Sequence, residues 1–121
     1  GVVWANNCTD HYARMSFDEV SGNYLNYTEG RDKEDTSCGY IRGTYASNGY
    51  SFNATLVGSD GNHSHNYYED FDLIDYDVFP GNEIWMYNYV KENGYNGAAM
   101  KCESNTGTEY SVEFLWSPDS V

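Results

Sequence analysis

The chain has 121 residues and carries 6 Lys+Arg against 19 Asp+Glu, a formal net charge of −13. That length suits one domain, so few basic residues cannot neutralise a phosphate backbone, which argues against nucleic acid as a partner, and no apolar run approaches the roughly 18 residues of a membrane span. Leu, Ile, Val and Phe together supply only 20 residues, but 13 Tyr and 3 Trp add large rings, so the composition points to a folded domain with an aromatic core rather than to disorder.

Apolar residues alternate with polar ones from end to end, no segment offers a helical period, and turn signals such as Ser47-Asn48-Gly49, Pro80-Gly81-Asn82 and Asn93-Gly94 recur along the chain. Val2, Val3 and Trp4 open an apolar segment over residues 1–7, read as an N-terminal strand free to exchange between copies. Residues 12–20 are expected to turn Ala13, Met15 and Phe17 inward. Residues 23–29 do the same with Leu25 and Tyr27 and leave Asn26 outside. The polar segment 30–37, with Arg31, Asp32, Lys33, Glu34 and Asp35, reads as a solvated loop. Residues 39–46 place Ile41 and Tyr45 on one face, and residues 49–57 bury Tyr50, Phe52, Ala54 and Leu56 with Asn53 exposed. A long strand over 67–79 changes phase near Ile74, the mark of a bulge. In residues 83–91 Ile84, Met86 and Val90 take one face while Trp85, Tyr87 and Tyr89 take the other, too many rings for a wet face. Residues 108–116 bury Tyr110, Val112, Phe114 and Trp116. The expectation is one all-β domain over 1–121, an antiparallel sandwich or small barrel of about eight strands, mostly hairpin-connected.

Four N-x-[ST] sequons begin at Asn7, Asn26, Asn53 and Asn62, where about two are expected by chance from the Asn, Ser and Thr counts. With no basic, apolar leader at the start, they describe a mature secreted glycoprotein, placed outside the cell and carrying N-linked glycans. Three cysteines, Cys8, Cys38 and Cys102, match no zinc or redox spacing, and an odd number in a secreted chain leaves one thiol over. In a meander Cys8 and Cys38 fall at the same end, so they are the expected bridge and Cys102 the buried thiol.

Chemistry is thinly signalled. Glu69, Asp70, Asp72, Asp75 and Asp77 form the densest acidic cluster, read as a solvated strand face with Ca2+ as the lesser alternative. Asp60-Gly61-Asn62-His63-Ser64 starts like a calcium loop, but His65 and Phe71 stand where the EF-hand pattern needs Gly and Glu. His11, His63 and His65 read as surface residues. No catalytic residues, metal site or cofactor are assigned.

Two function classes remain. The first is a self-assembling extracellular structural subunit of the fibril type, whose partners are copies of itself, using Val2, Val3, Trp4, Trp85, Tyr87 and Tyr89 for strand addition and aromatic contact. The second rests on a resemblance: antiparallel strands in this number and size look like the calycin group, the lipocalins and avidins. That resemblance implies a monomeric barrel holding a small apolar or aromatic ligand among rings such as Tyr45, Phe52, Trp85 and Tyr110.

Overall fold

The computed structural model describes residues 7–18 and 21–120. The proposed exchange strand, with Val2, Val3 and Trp4, therefore lies outside the described residues except for Asn7. The described chain is all-β, with ten strands: β1 His11–Phe17, β2 Leu25–Tyr27, β3 Arg31–Asp32, β4 Gly39–Ala46, β5 Phe52–Ser59, β6 Tyr67–Tyr68, β7 Asp75–Val78, β8 Glu83–Met86, β9 Gly97–Ser104 and β10 Tyr110–Ser117. They form two antiparallel sheets, in keeping with the expected small sandwich or barrel.

One sheet has four strands in the order β1-β10-β4-β8. The other is built on two long central strands, β9 and β5, and one of the two sheets curls into a half-barrel. β2 and β3 lie end to end along the free side of β9, and β7 and β6 along the free side of β5. Chain neighbours are mostly not sheet neighbours. Among the described strands only β5 and β6 are consecutive and paired; β2 and β3, and β6 and β7, follow each other along one side of the same sheet, and the other connections cross between sheets, so the meander order assumed from the turns does not hold.

The core lies between the sheets. Phe17 packs its ring 6.5 Å from Phe52 and 5.3 Å from Tyr110, and Phe52 lies 5.5 Å from Phe114. Met15, Ile41, Leu56, Val78, Met86 and Met100 close around them. β10 shows why alternation was readable: Tyr110, Val112, Phe114 and Trp116 are buried and the residues between them are half-buried. β5 and β9 are instead covered on both faces along their middles, where Leu56 and Val57, and Ala98 through Met100, are all buried.

Several local expectations are corrected. Tyr45 does not share the face of Ile41. The β10 register slips between Glu113, opposite Tyr45, and Phe114, opposite Gly43, so Thr44 is an extra residue that turns Tyr45 outward. Tyr50 is exposed because β5 begins only at Phe52. The long strand over 67–79 is two short strands, β6 and β7, separated by residues 69–74, so the phase change near Ile74 marks an interruption rather than a bulge. The segment 30–37 is not a solvated loop. Arg31 pairs with Ala98 in β3, and Arg31 and Lys33 are both buried.

Candidate functional site

The aromatic face begins at a tight turn. Phe79 N donates to Asn82 Oδ1 at 2.8 Å and Asn82 N to Phe79 O at 3.1 Å, across Pro80 and Gly81, whose φ of 96° suits glycine. The turn docks on Gly43: Gly43 N donates to Asn82 O at 3.1 Å and Gly81 N to Gly43 O at 2.9 Å. A Cβ on Gly43 would meet Phe79 O at 2.5 Å, so only glycine lets the turn sit this close.

From there β8 runs along the outside of β4 as the edge of its sheet. Met86 is buried, Ile84 half-buried and Trp85 53% exposed. The strand ends at Met86, yet the alternation continues. The buried Asn88 sustains it: Nδ2 donates to Met86 O at 3.1 Å and to Ser37 O at 3.4 Å, while Oδ1 accepts from Val90 N at 3.3 Å. Asn88 and Val90 therefore stay inside, and Tyr87 and Tyr89 stand out at 71% and 46% exposure. Asn88 was invisible to the sequence reading, although a lone polar residue at an inward position of an apolar stripe was the signal available.

Trp85 leans on Tyr40, with ring centroids 5.5 Å apart, and Tyr40 OH donates to Glu83 Oε2 at 2.6 Å. Burial, and then the bond to Glu83, push the Tyr40 phenol up to about 12. Beside the rings a groove of about 420 Å3 is bounded by Ile74, Tyr76, Tyr87, Tyr89 and Glu92. Tyr87 N donates to Tyr76 OH at 3.0 Å, which fixes the floor of the groove to its wall. The face is aromatic and backed by the core, an arrangement suited to contact with another surface.

The acidic stretch is dispersed. Glu69 accepts from Lys101 Nζ at 2.6 Å and Tyr27 OH at 2.9 Å, Asp70 accepts from Tyr95 OH, Asp75 from Thr55 Oγ1 and Asp77 from Asn105 Nδ2. Asp60 accepts from Tyr68 OH and Asn66 Nδ2, each at 2.8 Å. Among the described residues no three His, Cys, Asp or Glu side chains are grouped to hold a metal ion. No helix in the described residues is long and apolar enough to cross a membrane.

One protein-family model matches residues 1–120, nearly the whole chain. The chain belongs to that family, described as Protein of unknown function (DUF2712). No curated protein and no solved structure matches it.

In this family member the sequon asparagines are placed unequally. Asn26 is half-buried and its Nδ2 reaches Ser16 O at 3.3 Å. Asn53 is half-buried on β5, opposite Asp77 and Glu103. Asn7 and Asn62 are both tied to Asp32: Asn7 Nδ2 donates to its carbonyl at 2.9 Å, and Asn62 Nδ2 to its Oδ2 at 2.8 Å. The rings suggested for a ligand-lined barrel do not share a cavity. Phe52 and Tyr110 are packed in the core, whereas Tyr45 and Trp85 are on the outside.

The bridge expected between Cys8 and Cys38 is not formed; both are free thiols, as is the buried Cys102. Cys8 leads into β1 and Cys38 into β4, and those strands flank β10 on opposite sides. Two strand spacings are about 9.5 Å, beyond the roughly 7 Å between Cα atoms that a disulfide spans. Cys102 is held protonated, its pKa raised by burial.

Proposed function

We propose that the chain is an extracellular, glycosylated structural subunit whose copies associate through the aromatic face of β8. The observation that supports this reading is the coincidence of three exposed rings, Trp85, Tyr87 and Tyr89, with a sheet edge. Edge strands are usually protected by Lys, Pro or a bulge. The sequence of β8, Glu83-Ile84-Trp85-Met86, carries one charge and neither of the other devices. Two copies meeting edge to edge across a two-fold axis would extend each four-stranded sheet into the other and bring both sets of rings together. The net charge of −13 opposes such contact, so association strengthens as salt screens the repulsion.

A two-fold contact closes on itself. A filament needs a second, head-to-tail contact, and residues 1–7, with Val2, Val3 and Trp4, are the proposed source of it. The four sequons support the extracellular, glycosylated part of the reading, and peptide mapping of the natural material tests it. The test of assembly is sedimentation velocity of the full chain at rising concentration and two salt levels. Concentration-dependent, salt-promoted association that is lost in Trp85→Ser/Tyr87→Ser is the expected result. A single monomeric species throughout would overturn the proposal.

A further inference from the structure

In so acidic a chain the basic side chains are not evenly spread. His11 and Arg14 from β1, Arg31 from β3 and His65 from the loop before β6 line one cleft of about 320 Å3 between the edges of the two sheets, with Tyr27 and Trp116 among its walls. Two of the three histidines and two of the six Lys+Arg residues thus border one space.

Arg31 is its fixed point. The residue is 5% exposed. Its Nη1 donates to Trp116 O at 2.8 Å, and its Nη2 to Thr9 O at 2.6 Å and to Asn7 Oδ1 at 3.3 Å. The guanidinium lies over the Trp116 ring, 4.9 Å from its centroid. All of these partners are neutral. Lys33, two residues on, has a carboxylate at 2.8 Å, but Arg31 makes no salt bridge among the described residues. Burial lowers its pKa, and Asp10 and Asp119 oppose that only through space.

A buried cation among dipoles is stabilised by a counter-anion. Arg14, exposed on β1 in the other sheet and opposite Glu113 in the β1–β10 ladder, also makes no salt bridge among the described residues. Glu29 is the sole carboxylate among the described lining residues, and its Oε1 is already engaged by His63 Nδ1 at 3.0 Å.

We infer that this cleft binds a small molecule through an oxyanion group, a carboxylate or a phosphate, which the guanidinium groups of Arg31 and Arg14 receive between His11 and His65. Guanidinium groups suit either oxyanion because their N–H donors match paired oxygens. The volume is at the lower end of small-molecule sites, which span about 300–1,000 Å3.

The test is calorimetric titration of the full chain with inorganic phosphate and, separately, with benzoate, at constant ionic strength. Saturable binding of phosphate alone identifies a phosphate site, of benzoate alone a carboxylate site, and of both a general oxyanion site. Arg14→Gln is expected to weaken binding roughly tenfold, the usual scale for one charge-assisted bond. Arg42→Gln, an exposed arginine on β4 outside the cleft, is expected to leave it unchanged. Both variants replace exposed side chains, and circular dichroism checks that they fold. Saturation by neither probe below about 10 mM, or equal losses in the two variants, would overturn the inference.

Discussion

Lys33 Nζ lies 2.8 Å from Asp119 Oδ1, and neither side chain is reached by solvent. The ammonium gives its other protons to Ser37 O at 2.8 Å and Pro118 O at 2.9 Å, while Asp119 Oδ2 accepts from Asn7 N at 2.8 Å and Glu34 N at 2.9 Å. One ion pair thus ties together the segment after β3, the chain past β10 and the approach to β1. All the donors and acceptors of the pair are used, the condition under which a buried ion pair is tolerated.

Breaking this pair is therefore expected to be expensive. Lys33→Met strands a buried carboxylate and should cost about 3–5 kcal/mol. Asp119→Leu also leaves two backbone N–H groups without acceptors. Because the groups act as one network, the double variant should be less destabilised than the sum of the singles, with a coupling of about 2 kcal/mol. Urea denaturation of the four proteins measures it, and strictly additive costs would contradict a coupled network.

A second theme is the phenol–carboxylate pair. Tyr12 donates to Glu113, Tyr27 to Glu69, Tyr40 to Glu83, Tyr68 to Asp60 and Tyr95 to Asp70. In a chain with 19 acidic residues and 6 basic ones, tyrosine supplies the donors that lysine and arginine do not. The bond to Asp70, with some desolvation, pushes Tyr95 up to about 12, and burial with the bond to Glu83 does the same for Tyr40. A phenol raised above its ordinary 10.0 favours the fold while protonated. Its contribution is complete below pH 10 and is lost as pH climbs through about 12. Tyrosinate absorbance should rise later in the native protein than in urea, and the urea midpoint should fall across pH 10–12. Asp70→Asn should bring Tyr95 back towards 10.0 and shorten the lag; an unchanged titration would contradict the pairing.

How far the sequence could be read depended on the range of the interaction. Alternation identified the inward residues of β1 and β10 and the outward rings at 85, 87 and 89, because period-two patterning is local. Tyr45 was misplaced because the extra residue at Thr44 is defined only against β10. Arg31 and Lys33 were read as solvated because their partners, the Trp116 carbonyl and the Asp119 carboxylate, lie 85 and 86 residues away. The pairing of β1 with β10 and of β2 with β9 has no short-range signature either, and the proposed disulfide failed with the meander. The oxyanion cleft draws on four separate segments, so no spacing could announce it.

Three glycines set the crossing beside that cleft. A Cβ on Gly97 would fall 2.4 Å from Gly61 N and 2.6 Å from Gly61 Cα, and one on Gly30 would fall 2.5 Å from Gly61 O. The Ser59 hydroxyl, also within 2.4–2.6 Å of both positions, could turn aside, but the Gly61 atoms belong to the backbone and cannot rotate away. Gly97→Ala should therefore force β9 from the loop at Gly61 and cost about 1–3 kcal/mol. It should also loosen β3, whose Asp32 pairs with Gly97. A thermal melt measures the cost, and hydrogen exchange at residues 31–32 reports the loosening. A variant as stable as the parent would show that the backbones separate more easily than this packing implies.

Deletion of residues 1–5 separates folding from assembly. Among the described residues every strand pairing in the two sheets falls between His11 and Ser117. The first anchored residue described is Asn7, whose N–H donates to Asp119 and whose carbonyl accepts from Asp119 N at 3.2 Å. Removing 1–5 breaks none of these bonds, so the shortened chain should keep its β-type circular dichroism. Its association should change in kind. With the β8 face intact, copies should still pair. Without Val2, Val3 and Trp4, each able to bury about 1.5–3 kcal/mol of apolar surface, they should not grow into filaments. Trp85→Ser/Tyr87→Ser should do the reverse and remove pairing at its source. Light scattering and electron microscopy of the three proteins, at up to about 1 mM where even weak contacts are populated, tell these outcomes apart. Loss of the β signal on truncation would mean that residues 1–5 belong to the fold itself, and a full-length chain monomeric at that concentration would leave neither surface a role in assembly.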